Sequence, residues 1–433
     1  MSIDPEILQA VDRIQVIDTH EHQEEEWQRL TQKIDFYRLF THYAASDLVT
    51  AGLREESLRK LENPEVPIDE KWRLFEPFYL AARNTAYCKA VQIAIRDLYE
   101  IEELDRKTYV TLTERMRERN KPGVVSWILR DRCRIRLAQV NALDTGYFRV
   151  KTDAELFQQD LSVVDLLRWP SAVDSLERHL DVSITSLAAY ADAIEKLFAK
   201  YGSMADAIKQ QSAYFRPQFF ADVPDADAER VFNATLKKPK ETTPEQERVM
   251  TDWAFHRCVR HCIEHDLPIK IHTGYEAGNN DMCLENLNPN LLSNLFRQYP
   301  RAKFDIFHIG YPYEAELVAV AKQYANVYVD MCWAWIIDPI ASRHFLKRCL
   351  TAVPASKIFA FGGDYMYAEP VYGHLRLARH GIARCLSELV EEEFFTRDQA
   401  IAVAHRILHD NAAIVFRVDE KQEILRRAQQ TKA

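Results

Sequence analysis

The chain has little of what would mark a polyanion binder, a membrane protein or a disulfide-stapled module. Lysine and arginine (56) are outnumbered by aspartate and glutamate (65), for a formal charge of −9 and a pI near 5.9. No excess of cations is therefore available to neutralise phosphates, and no nucleic-acid partner is expected. No apolar run approaches the roughly 20 residues that span a bilayer, and the acidic start (Asp4, Glu6) lacks the charged-then-apolar order of a secretory leader. Eight cysteines are scattered over 433 residues without a Cys-x-x-Cys pair. A chain this long buries a core without staples, so reduced thiols in a cytoplasmic protein are expected. Glycine is scarce at 11 residues, and no stretch rich in Pro, Gly or Ser divides the chain, so one domain over residues 1–433 is expected.

What is present is an alternation of helix and strand. Asp4 and Pro5 suit the cap and first turn of a short leading helix, which delivers the chain to an apolar, β-branched run at residues 14–17. That run reads as a buried strand ending in His20 and His22. On a regular strand Asp18, His20 and His22 share one face, and Thr19 and Glu21 the other. Residues 34–120 read as a helical insertion, with Trp72, Phe75, Phe78 and Tyr79 at helical spacing. Strands are expected at 134–140 and 161–167, a helix at 187–201, and either state at 207–216. A capping box at Thr243–Gln246 opens a helix over 244–265. Four helix–strand units then follow, with strands at 267–272, 302–308, 326–330 and 357–364. Successive parallel strands need crossover helices, and about eight strands in a chain of this length suit a distorted (β/α)8 TIM barrel. A doubly wound open sheet is the structural alternative.

The polar residues at the strand ends carry the functional reading. His20 and His22 end the first strand, and His272, His308, Asp330 and Asp364 end later ones. In a closed barrel those ends converge on one mouth. Gly274, Gly310 and Gly362-Gly363 stand beside them, where backbone must turn or approach closely. Imidazoles with one carboxylate suit a divalent ion, zinc above all. His20, His22, His272 and Asp364 are therefore assigned as the metal shell. Such an ion activates water and polarises a carbonyl, with Asp364 taking the proton and His308 stabilising developing charge. Lys209, Arg216, Trp333 and Trp335 are candidate substrate contacts. Arg376 and Arg379 are further candidate carboxylate anchors.

His20-Glu21-His22, Lys270-Ile271-His272-Thr273-Gly274, Phe307-His308-Ile309-Gly310, Asn326 to Asp330 and Phe361-Gly362-Gly363-Asp364 together resemble the amidohydrolase superfamily, in its amidohydrolase-2 branch and among its uronate isomerase relatives. The resemblance implies a TIM barrel whose strand-one histidines and strand-eight aspartate bind metal, roles that fall on His20, His22 and Asp364. It makes His272 a ligand, and His308 a second ligand or a catalytic group. It leaves the reaction open. A metal-dependent hydrolase of a small carboxylated or carbohydrate-derived molecule, working through an activated water, is the leading expectation. A uronate isomerase or a non-oxidative decarboxylase on the same site is the alternative, and a barrel that only binds its ligand lies outside enzymology. The run from Asp364 to Tyr367 is aromatic where an isomerase would be expected to carry arginines. Assembly into a homo-oligomer is compatible with the sequence.

Overall fold

The computed structural model describes residues 2–143 and 146–430. Nine parallel stretches build the sheet: β1 (Val16–Glu21), β2 (Ile135–Val140), β3 (Phe157–Gln159), β4 (Leu161–Ser162), β5 (Ile208–Gln210), β6 (Ile269–Ile271), β7 (Phe304–Ile306), β8 (Val327–Asp330) and β9 (Ile358–Phe359). They pair in the order β1-β2-β3 and β4 through β9. Only Asp160 separates β3 from β4, so the two are one strand interrupted at a carboxylate. The cylinder closes where Thr19 N–H donates to Phe361 O (3.2 Å) and Asp364 N–H to His20 O (2.8 Å). Eight strands thus form a (β/α)8 barrel, and closure joins the first motif to the last.

Several boundaries differ from the sequence pattern. The third strand lies at 157–162 rather than 161–167, and a 3-10 turn occupies Asp165–Leu167. Only Ile208–Gln210 of the ambiguous 207–216 segment is strand. The β1–β2 register slips between Asp18 and Glu21, so β1 does not alternate cleanly. Thr19 and Glu21, expected to face away, are as buried as His20. Thr19 Oγ1 donates to Phe361 O, and Glu21 accepts from Gln23 Nε2 and Tyr365 N–H.

Residues 26–132 are helical throughout their regular elements. The helix Ala86–Tyr99 packs on the long helix Ala368–Glu391 that follows Asp364, and the two meet at Gly373, where a Cβ would overlap the Ala90 carbonyl. Gly373→Ala is expected to lower stability by about 1–3 kcal/mol through overpacking, read as a shift of the urea midpoint. His374 beside it is fully buried against Phe361, and burial holds its imidazole down at about 3. The folded-state value lies below the unfolded one of about 6.5, so protonation favours unfolding. The contribution is complete above pH 6.5 and is lost as pH falls from there toward 3. His374→Phe is expected to flatten acid destabilisation over that window by about one proton, ~1.4 kcal/mol per pH unit. No helix among the described residues is long and apolar enough to cross a membrane.

Candidate metal centre at the barrel mouth

β1 delivers His20 and His22, and the turn after β9 delivers Asp364. Asp364 Oδ1 lies 3.5 Å from His20 Nε2 and 3.2 Å from His22 Nε2. Burial opposes ionisation of this carboxyl, but His22 and His20 overcome it and hold it well below the usual carboxylate range. The turn itself is tight: a Cβ on Gly363 would strike Glu21 Oε1, and Asp364 takes a positive φ of 62°. His308 and Trp333 also adopt left-handed backbone, at 62° and 64°. Such conformations cluster at functional sites, where surrounding structure over-determines them. The expected strand to His308 therefore stops at Ile306, and His308 sits in the turn beyond it.

Counting protons tests whether these residues fit a cation. His22 Nδ1 lies 2.7 Å from Asn141 O. A carbonyl oxygen only accepts, so Nδ1 carries a hydrogen there, and Nε2 is the ring nitrogen that faces the Asp364 carboxylate at 3.2 Å. His308 Nδ1 lies 2.9 Å from Cys332 O, and His272 Nε2 lies 3.0 Å from Tyr275 O. Both hydrogens are spent on carbonyls, which leaves His308 Nε2 and His272 Nδ1 lone pair to lone pair at 3.0 Å. Burial draws His308 down to about 4 and His272 well below 6.5, so neither ring holds an extra proton near neutrality. His20 is wholly buried, with neither ring nitrogen hydrogen-bonded. Acceptors facing acceptors in a buried site are what a divalent cation resolves. His20, His22 and Asp364 gather ligand atoms within 4.8 Å of one another, and so do His308, Cys332 and Asp364.

The remaining sequence candidates divide. Lys209 is fully buried in the middle of β5, with Nζ 4.1 Å over the Phe307 ring and no hydrogen bond. Burial pulls its pKa down, and the Asp364 charge acts against that. Trp333 stands edge-on to His308 at 5.2 Å. His272 is not among the ligand atoms gathered on Asp364; it meets the site through His308. Arg216 is a correction, because its guanidinium is committed to Asp252, Thr251 and Phe219 O. Trp335 is another: its indole N–H donates to Ala360 O and its ring packs on Gly381, so it fills the core. Arg376 pairs with Asp12, and Arg379 donates to four backbone carbonyls.

Sequence reasoning missed Asp160. Its carboxylate takes Lys270 Nζ at 2.8 Å and lies 3.5 Å from His20 Nδ1, so it sits behind that imidazole. It also missed the roof. Tyr43 stacks on Trp333 at 4.4 Å, and Tyr365 meets Tyr43 edge-on at 5.1 Å. A groove of about 770 Å³ lined by Asp35, Arg38, Lys71 and Tyr367 runs up to His42 beside them.

The amidohydrolase family model matches residues 204–418, a stretch that takes in Lys209, His272, His308 and Asp364. The chain belongs to the amidohydrolase superfamily. Among curated proteins this amidohydrolase is 26% identical over 207 residues to Protein fluG of Emericella nidulans. The match covers 46% of the chain and 24% of that protein, so the chain spans about a quarter of its relative's length. Among solved structures, the uronate isomerase of Thermotoga maritima superposes with a TM-score of 0.78 at 12% identity, covering 95% of this chain and 96% of that one. The glucuronate isomerase of Caulobacter crescentus gives 0.72 at 16%, covering 96% and 93%. A putative metal-dependent hydrolase of Lactobacillus casei gives 0.67 at 15%, covering 97% and 99%. At such identities these likenesses speak for the fold.

Proposed function

We propose that this amidohydrolase is a metal-dependent hydrolase of a small molecule, with a divalent ion, zinc by preference, held by His20, His22 and Asp364 and flanked by His272 and His308. The observation that carries the reading is the clustering of the His20, His22 and Asp364 ligand atoms beside His308 Nε2 and His272 Nδ1, two ring nitrogens that meet at 3.0 Å with their hydrogens spent on carbonyls. A divalent ion supplies Lewis acidity, polarising a carbonyl and lowering the pKa of water. Asp364, ionised and with Oδ2 turned toward His308 at 3.8 Å, takes the proton from the attacking water and passes it to the leaving group. His308 presents a lone pair inward, so it accepts rather than donates. The Lys209 ammonium is then the group that meets negative charge developing on the substrate oxygen. The Asn141 carbonyl holds His22 in place, and the Asp160 carboxylate lies behind His20 at 3.5 Å. Eight free cysteines favour the reducing cell interior as the place of work.

A second reading, sugar-acid isomerisation, is favoured by the extent of overlap with the uronate and glucuronate isomerases. Against it, Tyr365, Met366 and Tyr367 follow Asp364, and Arg216 is already paired. A panel of amides and lactones, with glucuronate alongside, separates the two. Hydrolysis that disappears on chelation and returns with zinc is the expected result. Ketose from glucuronate with no hydrolysis of any panel member would replace the first reading by the second.

A further inference from the structure

The mouth gathers a second set of ligand atoms. His308, Cys332 and Asp364 each bring one within 4.8 Å of the others, and all three residues are buried. Asp364 belongs to both sets through different oxygens: Oδ1 faces His20 and His22, and Oδ2 lies 3.8 Å from His308 Nε2. Cys332 reaches the site because the chain turns just beyond β8. Its backbone N–H donates to Asp330 Oδ1 (2.7 Å), and its carbonyl accepts from His308 Nδ1 (2.9 Å). Trp333 N–H, next in the chain, donates to Gly362 O (2.9 Å). The sulfur is thereby held against the turn that carries Asp364, where a Cβ on Gly362 would come within 2.9 Å of Sγ.

A buried cysteine is ordinarily a small apolar filler, and none of the other cysteines stands in such a group among the described residues. Cys332 differs in its company. His308 spends its ring hydrogen at Nδ1, and its Nε2 meets a second lone pair, on His272 Nδ1 at 3.0 Å. An unsatisfied electron pair on a fully buried ring therefore stands beside the sulfur. One nitrogen, one sulfur and one carboxylate oxygen suit a thiophilic divalent ion such as zinc. They disfavour magnesium, calcium and manganese, which take oxygen.

We propose that His308, Cys332 and Asp364 form a second, inhibitory metal position, filled by zinc or a similar ion in excess of the one held by His20, His22 and Asp364. The inference rests on the hydrolase reading of that first ion and adds its regulation. On binding, the Cys332 thiol releases its proton to solvent and the sulfur takes the ion in its place. The same ion takes Asp364 Oδ2, the oxygen turned toward His308. That oxygen is the proton acceptor of the hydrolysis, and with its lone pair engaged it no longer serves the attacking water. One ion per chain supports turnover, and a second stops it.

The test is titration of the metal-free full chain with cobalt(II), read by absorption, because a near-ultraviolet thiolate-to-cobalt charge-transfer band reports sulfur ligation directly. The first equivalent is expected to bind without the band and the second to bring it in. Cys332→Ser and Cys332→Ala are expected to keep the first equivalent, which shows them folded, and to lose the band, with the second equivalent bound at least tenfold more weakly. Excess zinc is expected to inhibit hydrolysis by the parent, and to do so at least tenfold less effectively in Cys332→Ser. A band that arrives with the first equivalent, a second equivalent that binds without one, or no second equivalent at millimolar cobalt would each overturn the proposal. So would a band, or inhibition by zinc, that is the same in the parent and in Cys332→Ser. A Cys332-dependent band with no amide or lactone turned over would leave the second position standing and remove the hydrolase reading. Hydrolysis restored by zinc, with no band at any cobalt level, would do the reverse.

Discussion

Replacing Asp364 with asparagine is expected to lower kcat/KM on the best substrate of the panel by about a thousandfold, within the range for loss of a positioned proton acceptor. It is also expected to lower metal content. The substitution is close to isosteric, and asparagine tolerates left-handed backbone well, so the closing bond from residue 364 N–H to His20 O survives. What changes is the charge. Oδ1 faces His20 and His22 at 3.5 and 3.2 Å, and a neutral amide there neither balances a divalent ion nor takes a proton from water. Steady-state kinetics with elemental analysis reads both effects. Activity within tenfold of the parent would remove Asp364 from the chemistry.

The largest stability effect is expected at Arg29. Its guanidinium makes a two-pronged contact with Glu369 at 2.9 and 2.7 Å, and Tyr99 OH donates to the same carboxylate at 2.8 Å. Arg29 and Glu369 are both buried. Burial opposes ionisation of Glu369, and Arg29 outweighs it, holding the carboxyl at about 2. The cluster ties the helix Glu26–Thr31 after the histidine pair to the helix Ala86–Tyr99 and to the helix that follows Asp364. Arg29→Met strands a buried charge and is expected to cost about 3–5 kcal/mol, whereas Arg29→Met with Glu369→Leu should recover much of it. Denaturant titration measures both. A single-variant loss below about 1 kcal/mol would show the cluster to be dispensable.

Much of the barrel could be read from the sequence because each strand carries its own local signal. The run before His20 and the helix–strand units from Thr243 onward announce themselves by periodicity, capping residues and the polar group at each end. Part of the candidate site was legible too: His20, His22 and Asp364 meet because strand ends converge, a property of topology and not of local contacts, whereas His272 stands against His308 instead of joining them. What was hidden depends on contacts across hundreds of residues. Nothing in residues 157–162 marks Asp160 as the partner of Lys270, 110 residues away. Tyr43 looks like an ordinary amphipathic-helix residue until the insertion folds back over Trp333. Arg216 misled over a shorter range, since its partner Asp252 lies in the following long helix, Pro244–His265. Trp333 and Trp335 are equivalent in sequence and both are buried; they separate only because the left-handed turn at Trp333 sets its ring against His308 and Tyr43, while Trp335 packs on Gly381.

Elemental analysis of the purified chain beside a His20→Ala/His22→Ala variant tests the central claim most directly. The account predicts at least one equivalent of divalent metal in the parent, lost from a variant that remains folded. Equal metal content in the two proteins, or full activity in metal-free parent, would contradict it.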